Sequence, residues 1–118
     1  MPVIEISALP PARDLDVALA LTAVTAEVAS FLGEDPRGTW AIYQPIAPGH
    51  YAEGDDAPAE QPSATHPAIV RVFANRPPDQ AADLLASVGA AVVRAFGLEE
   101  GNVFVRFESA DPARMFWG

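Results

Sequence analysis

The chain predicts an α/β (α+β) domain. It reads as a tandem β-α-β repeat folded into one four-stranded mixed sheet, with two helices on one face. Three observations carry this. Short β-branched runs alternate with two long segments of helical period. The order strand, helix, strand occurs twice, each time with a Pro-Pro step before the helix and an aromatic turn before the glycine that ends it. The chain has 118 residues, 50% of them apolar, which suits a single domain with one core.

The first strand is expected over Val3 to Ala8, followed by Leu9-Pro10-Pro11-Ala12-Arg13. A helix follows from about Asp14, its expected N-cap, to Leu32, with Val17, Leu21, Val24, Val28 and Phe31 on its apolar stripe and Gly33 as its stop. The second strand spans Thr39 to Gln44 and ends at Pro45. In the second half, a strand over Ala68 to Ala74 leads through Asn75-Arg76-Pro77-Pro78 into a helix from about Asp79 to Phe96. That helix places Leu85, Val88, Val92 and Ala95 on one face and stops at Gly97; the last strand is Val103 to Glu108. The half-repeats are thus about 2–47 and 67–112. The segment 47–65, rich in Pro, Gly, Ala, Asp and Glu, is expected as a solvated excursion at the sheet edge.

Right-handed crossovers put both helices on one side of the sheet. The other side then carries apolar residues mixed with charges such as Glu5, Arg71 and Arg106, and a partly apolar uncovered face implies self-association.

Composition excludes several classes. Net charge is −9, so the chain should repel phosphate backbones, and nucleic-acid binding is not expected. All seven basic residues are arginine, so lysine Schiff-base chemistry is excluded. There is no cysteine, hence no disulfide or thiolate. Charged residues interrupt every apolar run before it reaches membrane-spanning length, and no signal peptide is read, so the cytoplasm is the expected compartment. No phosphate loop or nucleophile elbow occurs, and His50, His66, Glu53, Asp55 and Asp56 have no metal-site spacing; neither cofactor nor metal is expected.

The residue that stands out chemically is Pro2. Methionine before a small residue is normally trimmed, which would leave Pro2 as the terminus. An N-terminal proline is a secondary amine able to act as a base, whereas a proline within the chain is an amide and is not. The plain alternative is a proline tolerated at the start of an edge strand.

Pro2-Val3-Ile4 at the start, Tyr43-Gln44-Pro45 before Pro48-Gly49, and Val103-Phe104-Val105-Arg106-Phe107-Glu108 near the end, set in a tandem β-α-β chain, together resemble the tautomerase superfamily. This superfamily includes 4-oxalocrotonate tautomerase, macrophage migration inhibitory factor, malonate semialdehyde decarboxylase and cis-3-chloroacrylic acid dehalogenase. The resemblance implies a homotrimeric barrel with sites near each proline, and cofactor-free chemistry on a small carboxylate.

It also implies residue roles. Pro2 matches the catalytic proline. Arg76 falls where the dehalogenase and decarboxylase branches carry a carboxylate-binding arginine after the third strand; their second arginine is replaced here by Pro78 or Asp79. Arg106 stands where relatives place a pocket-lining tyrosine or asparagine, and is a substitute for the missing arginine. Trp40, Phe104, Phe116 and Trp117 are the expected apolar walls. The decarboxylase aspartate would fall near Gly38, with Asp35 close by, and the dehalogenase C-terminal glutamate would fall at Phe116 or Trp117.

The expectation is therefore a keto–enol tautomerase for a 2-keto carboxylic acid, with Pro2 as general base and Arg76 or Arg106 holding the carboxylate. Dehalogenation, hydration or decarboxylation of a three-carbon acid stays open as an alternative. So does a non-catalytic trimer, which retention of Met1 would favour.

Overall fold

A computed structural model describes residues 2–11, 14–62, 65–75 and 78–109. The elements follow in the expected order: β1 (Val3–Ala8), α1 (Val17–Leu32), a 3₁₀ turn (Pro36–Gly38), β2 (Trp40–Pro45), β3 (Ala68–Ala74), α2 (Pro78–Phe96) and β4 (Val103–Ser109). The strands form one mixed sheet in the order β2-β1-β3-β4. Each β-α-β unit contributes a parallel pair, and β1 and β3 join the units in antiparallel register. This order gathers the starts of β1 and β2 and the ends of β3 and β4 at one end of the sheet.

Alternation decides what each strand buries. Ile4, Ile6 and Ala8 of β1 and Val70, Val72 and Ala74 of β3 point to the helices and are sealed, while Glu5, Ser7, Ile69 and Arg71 point the other way. Val24 and Val28 of α1 and Leu84, Val88 and Val92 of α2 close over them. Fully burying each such side chain contributes about 1.5–3 kcal/mol, so this layer is the main source of stability.

Three local expectations are corrected. Asp14 does not cap α1: its φ is 54°, a left-handed conformation that breaks the helical path, and Asp16 caps instead, with its carboxylate accepting from the Leu19 N–H at 3.1 Å. Phe31 is 52% exposed. The buried stripe runs Ala20, Val24, Val28 at four-residue steps, which drifts around the helix and turns Leu32 inward in its place. In α2 the sealed leucine is Leu84, with Leu85 only packed against the edge of the core. Gly33 and Gly97 end the helices as expected, with φ of 68° and 66°, values a residue with a Cβ rarely takes.

The described part of segment 47–65 is mostly exposed and is anchored near its end. Gln61 and His66 are buried, and the Gln61 N–H donates to the Pro10 carbonyl at 2.9 Å, docking the segment against the chain that leaves β1.

Candidate active site

Pro2 sits at the head of β1, less than 2% exposed, on the same side of the sheet as Ile4 and Ile6. Its carbonyl accepts the Trp40 N–H at 3.0 Å. The parallel register that matches Val3 with Trp40 places Thr39 beside Pro2, and alternation with Ala41 and Tyr43 turns the Thr39 side chain to the same helix-facing side. Thr39 is extended (φ −109°, ψ 121°) and 4% exposed, and its Oγ1 is buried with no hydrogen-bond partner among the described residues. Such an unmade bond costs about 1–3 kcal/mol, which makes Thr39 conspicuous. The antiparallel register with β1 brings β3 out at this same end, at Ala74 and Asn75. Arg76, the next residue, lies outside the described residues, as do Phe116 and Trp117.

Arg106 lies on the other side of the sheet. That face is laid out in three rows by register: Trp40–Val3–Phe73–Glu108 nearest the Pro2 end, then Ile42–Glu5–Arg71–Arg106, then Gln44–Ser7–Ile69–Phe104. Arg71 joins Glu5 at 3.2 Å and Glu108 at 3.1 Å, and its guanidinium stands 5.0 Å over the Phe73 ring. Arg106 is hydrogen-bonded to Glu108 as well. The Arg106 hydrogen bond, and then Arg71, hold the Glu108 carboxyl below its ordinary range. The structure thus gathers Trp40, Phe104 and Arg106 on one open face, with Trp40 and Phe104 50% and 61% exposed. It does not bring them to the side of the sheet where the Pro2 ring is buried. A separate groove of about 670 Å³ runs between α2 and β4, lined by Leu85, Gly89, Val93, Val103 and Val105, away from the head of β1.

The opposite end of the sheet holds a polar cluster that sequence reading set aside. His66 Nδ1 lies 3.0 Å from Glu53 Oε1, the Tyr51 hydroxyl donates to the same carboxylate at 2.8 Å, and the Gln61 amide donates to the His66 carbonyl. Burial, the Glu53 hydrogen bond and its charge push the Tyr51 phenol up to about 12. Tyr51 and His66 together hold Glu53 below the usual carboxylate range. No group of three metal-ligating side chains occurs among the described residues. The partners span residues 51 to 66 without a periodic signal, and Thr39 likewise showed only as the start of a strand. Position in the fold, rather than spacing, singles them out.

No protein-family model matches the sequence, and no curated protein matches it. Solved structures do match. Native fused 4-OT superposes with a TM-score of 0.76 at 16% identity, over 98% of this chain and 92% of that one. An asymmetric trimer of fused 4-OT gives 0.78 at 13% identity over the same shares. A malonate semialdehyde decarboxylase gives 0.70 at 14% identity, over 98% of this chain and 90% of that one. The chain has the tautomerase-superfamily fold. At these identities the likeness speaks for the fold alone, and the chemistry has to be argued from the residues. The expected four-stranded mixed sheet built from two β-α-β units, with both helices on one face, is met.

Proposed function

We propose that the chain is a cofactor-free keto–enol tautomerase acting on a small 2-keto carboxylic acid, with Pro2 as its general base and the cytoplasm as its expected compartment. The observation that carries this reading is the placement of Pro2 at the head of β1 in a tautomerase fold, buried beside an unpaired hydroxyl. Once Met1 is removed, the secondary amine takes a proton from the enol hydroxyl or from the carbon next to the carbonyl. It returns that proton at the other end of the conjugated system. A free α-amine ordinarily titrates near 8, so part of it is the neutral base near pH 7.

Arg76 and Arg106 are the proposed carboxylate ligands, with Trp40, Phe104, Phe116 and Trp117 as apolar walls. Arg106 and Pro2 lie on opposite sides of one sheet, so the reading has Arg106 serve a site completed by another copy, where the substrate carboxylate replaces Glu108 as its partner. A homotrimer is part of the proposal. It is supported by the open face bearing Trp40, Ile42, Ile69 and Phe104, and by structural neighbours described as trimers. The malonate semialdehyde decarboxylase likeness favours a second reading, decarboxylation or hydration of a three-carbon acid at the same proline.

The test is an assay with phenylenolpyruvate and 2-hydroxymuconate on protein whose intact mass shows Met1 removed. Turnover that disappears when Met1 is retained supports the reading. Full tautomerase activity with Met1 in place would end it.

A further inference from the structure

The buried hydroxyl of Thr39 is polar, nine-tenths sealed and without a hydrogen-bond partner among the described residues, whose other buried polar side chains, Gln61 and His66, are bonded. Register and alternation set it beside Pro2 on the helix-facing side, with the backbone pair locked by the Trp40-to-Pro2 hydrogen bond of 3.0 Å. What it lacks is a donor or acceptor from its neighbour, and the chemistry of residue 2 explains why. While residue 1 is attached, Pro2 is a tertiary amide with no N–H to offer. Removal of Met1 converts the same nitrogen into a secondary amine that carries an N–H and a lone pair.

We propose that Thr39 is the positioning residue of the Pro2 amine: Thr39 Oγ1 accepts the amine hydrogen and leaves the lone pair as the nitrogen's one outward-facing acceptor. The inference rests on the reading of Pro2 as a free amine and deepens it. In the neutral amine, the N–H is taken up by Thr39 and only the lone pair can meet the substrate. In the protonated amine, one N–H stays on Thr39 and the other is the proton in transit. A bond accepted from the cation is stronger than one from the neutral amine, so Thr39 also raises the amine's proton affinity against the lowering effect of burial.

Few charges compete. Around this end stand Glu34, Asp35 and Arg37 between α1 and β2, Asp79 at the start of α2, and Glu108 on the opposite face of β4. Asp35 and Arg37 are paired with each other at 2.9 Å, and Glu108 is held by Arg71 and Arg106. None of them meets Thr39 Oγ1.

The test crosses two terminal forms with three side chains at position 39. One form retains Met1, and the other is released by proteolysis to begin at Pro2; each carries Thr, Thr39→Val or Thr39→Ser. The amine is titrated by ¹⁵N NMR on proline-labelled protein beginning at Pro2. Thr39→Val should lower its pKa by about one unit, and Thr39→Ser should stay close to wild type. A valine variant that titrates like wild type overturns the proposal.

Thermal unfolding supplies the second readout. With Met1 retained, valine removes an unpaired hydroxyl and should hold or raise the Tm. With Pro2 free, it deletes a bond and should lower the Tm. The same change in both forms would mean a purely structural threonine and also overturns the proposal. Neither readout uses a substrate. Absence of turnover with an intact titration shift would therefore sink the tautomerase reading while leaving the Thr39–Pro2 bond in place.

Discussion

The two ends of the sheet treat buried polar atoms in opposite ways. At the end where β3 begins, Tyr51, Glu53, Gln61 and His66 bond to one another and to backbone carbonyls. At the end where β1 begins, Thr39 Oγ1 is sealed beside Pro2 and unpaired among the described residues. Each half of the tandem chain also has a proline at the head of its first strand, Pro2 before β1 and Pro67 before β3. Pro67 can only be an amide, whereas Pro2 is proposed to act as a free amine. A finished hydrogen-bond cluster holds the fold together; an unfinished one beside a residue of latent reactivity is where chemistry is to be sought.

Breaking that contrast at the Pro2 end should have the largest effect. Retaining Met1, or acylating the amine, should cut kcat/KM for phenylenolpyruvate by at least about 10²-fold, the usual contribution of a general base. Pro2→Ala, which leaves a primary amine, should keep part of the activity. Pro67→Ala should leave kcat/KM unchanged, and an equal loss from both prolines would erase the proposed distinction. Steady-state kinetics with mass-verified termini reads all three.

The next effect belongs to the arginines. Arg76→Ala and Arg106→Ala should each raise KM for a carboxylate substrate and lower kcat/KM by roughly 10- to 150-fold, equivalent to about 1.5–3 kcal/mol for a charged hydrogen bond. Arg71→Ala should act differently. Its guanidinium is committed to Glu5 and Glu108, so it should change stability with little change in KM. If Arg71→Ala raises KM as much as Arg106→Ala, the open-face charges work as one unit and Arg106 has no separate role.

How much of this could be read from sequence depends on the range of the interaction. The sheet face was legible because Ile4, Ile6, Val70 and Val72 alternate with Glu5, Ser7, Ile69 and Arg71, and period two is a local signal. The helix ends at Gly33 and Gly97 were legible for the same reason. The start of α1 was misjudged because Asp14 and Asp16 offer the same capping chemistry two residues apart, and only the left-handed backbone at Asp14 decides between them. At the site, Pro2 was visible from its place in the chain. Thr39 was not, because its significance is a missing partner, which only packing creates. The Glu53–His66 pair was hidden similarly, since 13 residues of irregular chain separate the two.

At the opposite end, the expected effect is on stability rather than rate. Gln61→Ala removes a buried amide that donates to the His66 carbonyl and should lower stability by about 1–3 kcal/mol, read as a reduced Tm or denaturant midpoint. Activity per folded molecule should not change. A lowered kcat with an unchanged midpoint would show that the two ends are coupled.

The smallest effects are those of pH on the same cluster, and their signs differ on the two sides of neutrality. Glu53 titrates below its ordinary value of 4.5 because Tyr51 and His66 bond its ionised form. The folded state therefore favours the carboxylate, and this stabilisation is full above the unfolded value and lost as pH falls through the lowered folded one. Tyr51 is shifted from 10.0 up to about 12, so the folded state favours the neutral phenol; that contribution is full below 10 and fades as pH rises toward 12. Stability of segment 47–62 should thus fall at both acid and alkaline extremes. Glu53→Gln should flatten the acid limb and Tyr51→Phe the alkaline one, with modest amplitude because Glu53 is partly exposed. Local opening can be followed by hydrogen exchange at the Glu53, Asp56 and Gln61 amides, each bonded to a backbone carbonyl, after correction for the intrinsic pH dependence of exchange. Protection that ignores both substitutions would show that the segment is held by its backbone bonds alone. The contrast between the two ends would then rest on Gln61 rather than on the charged pair.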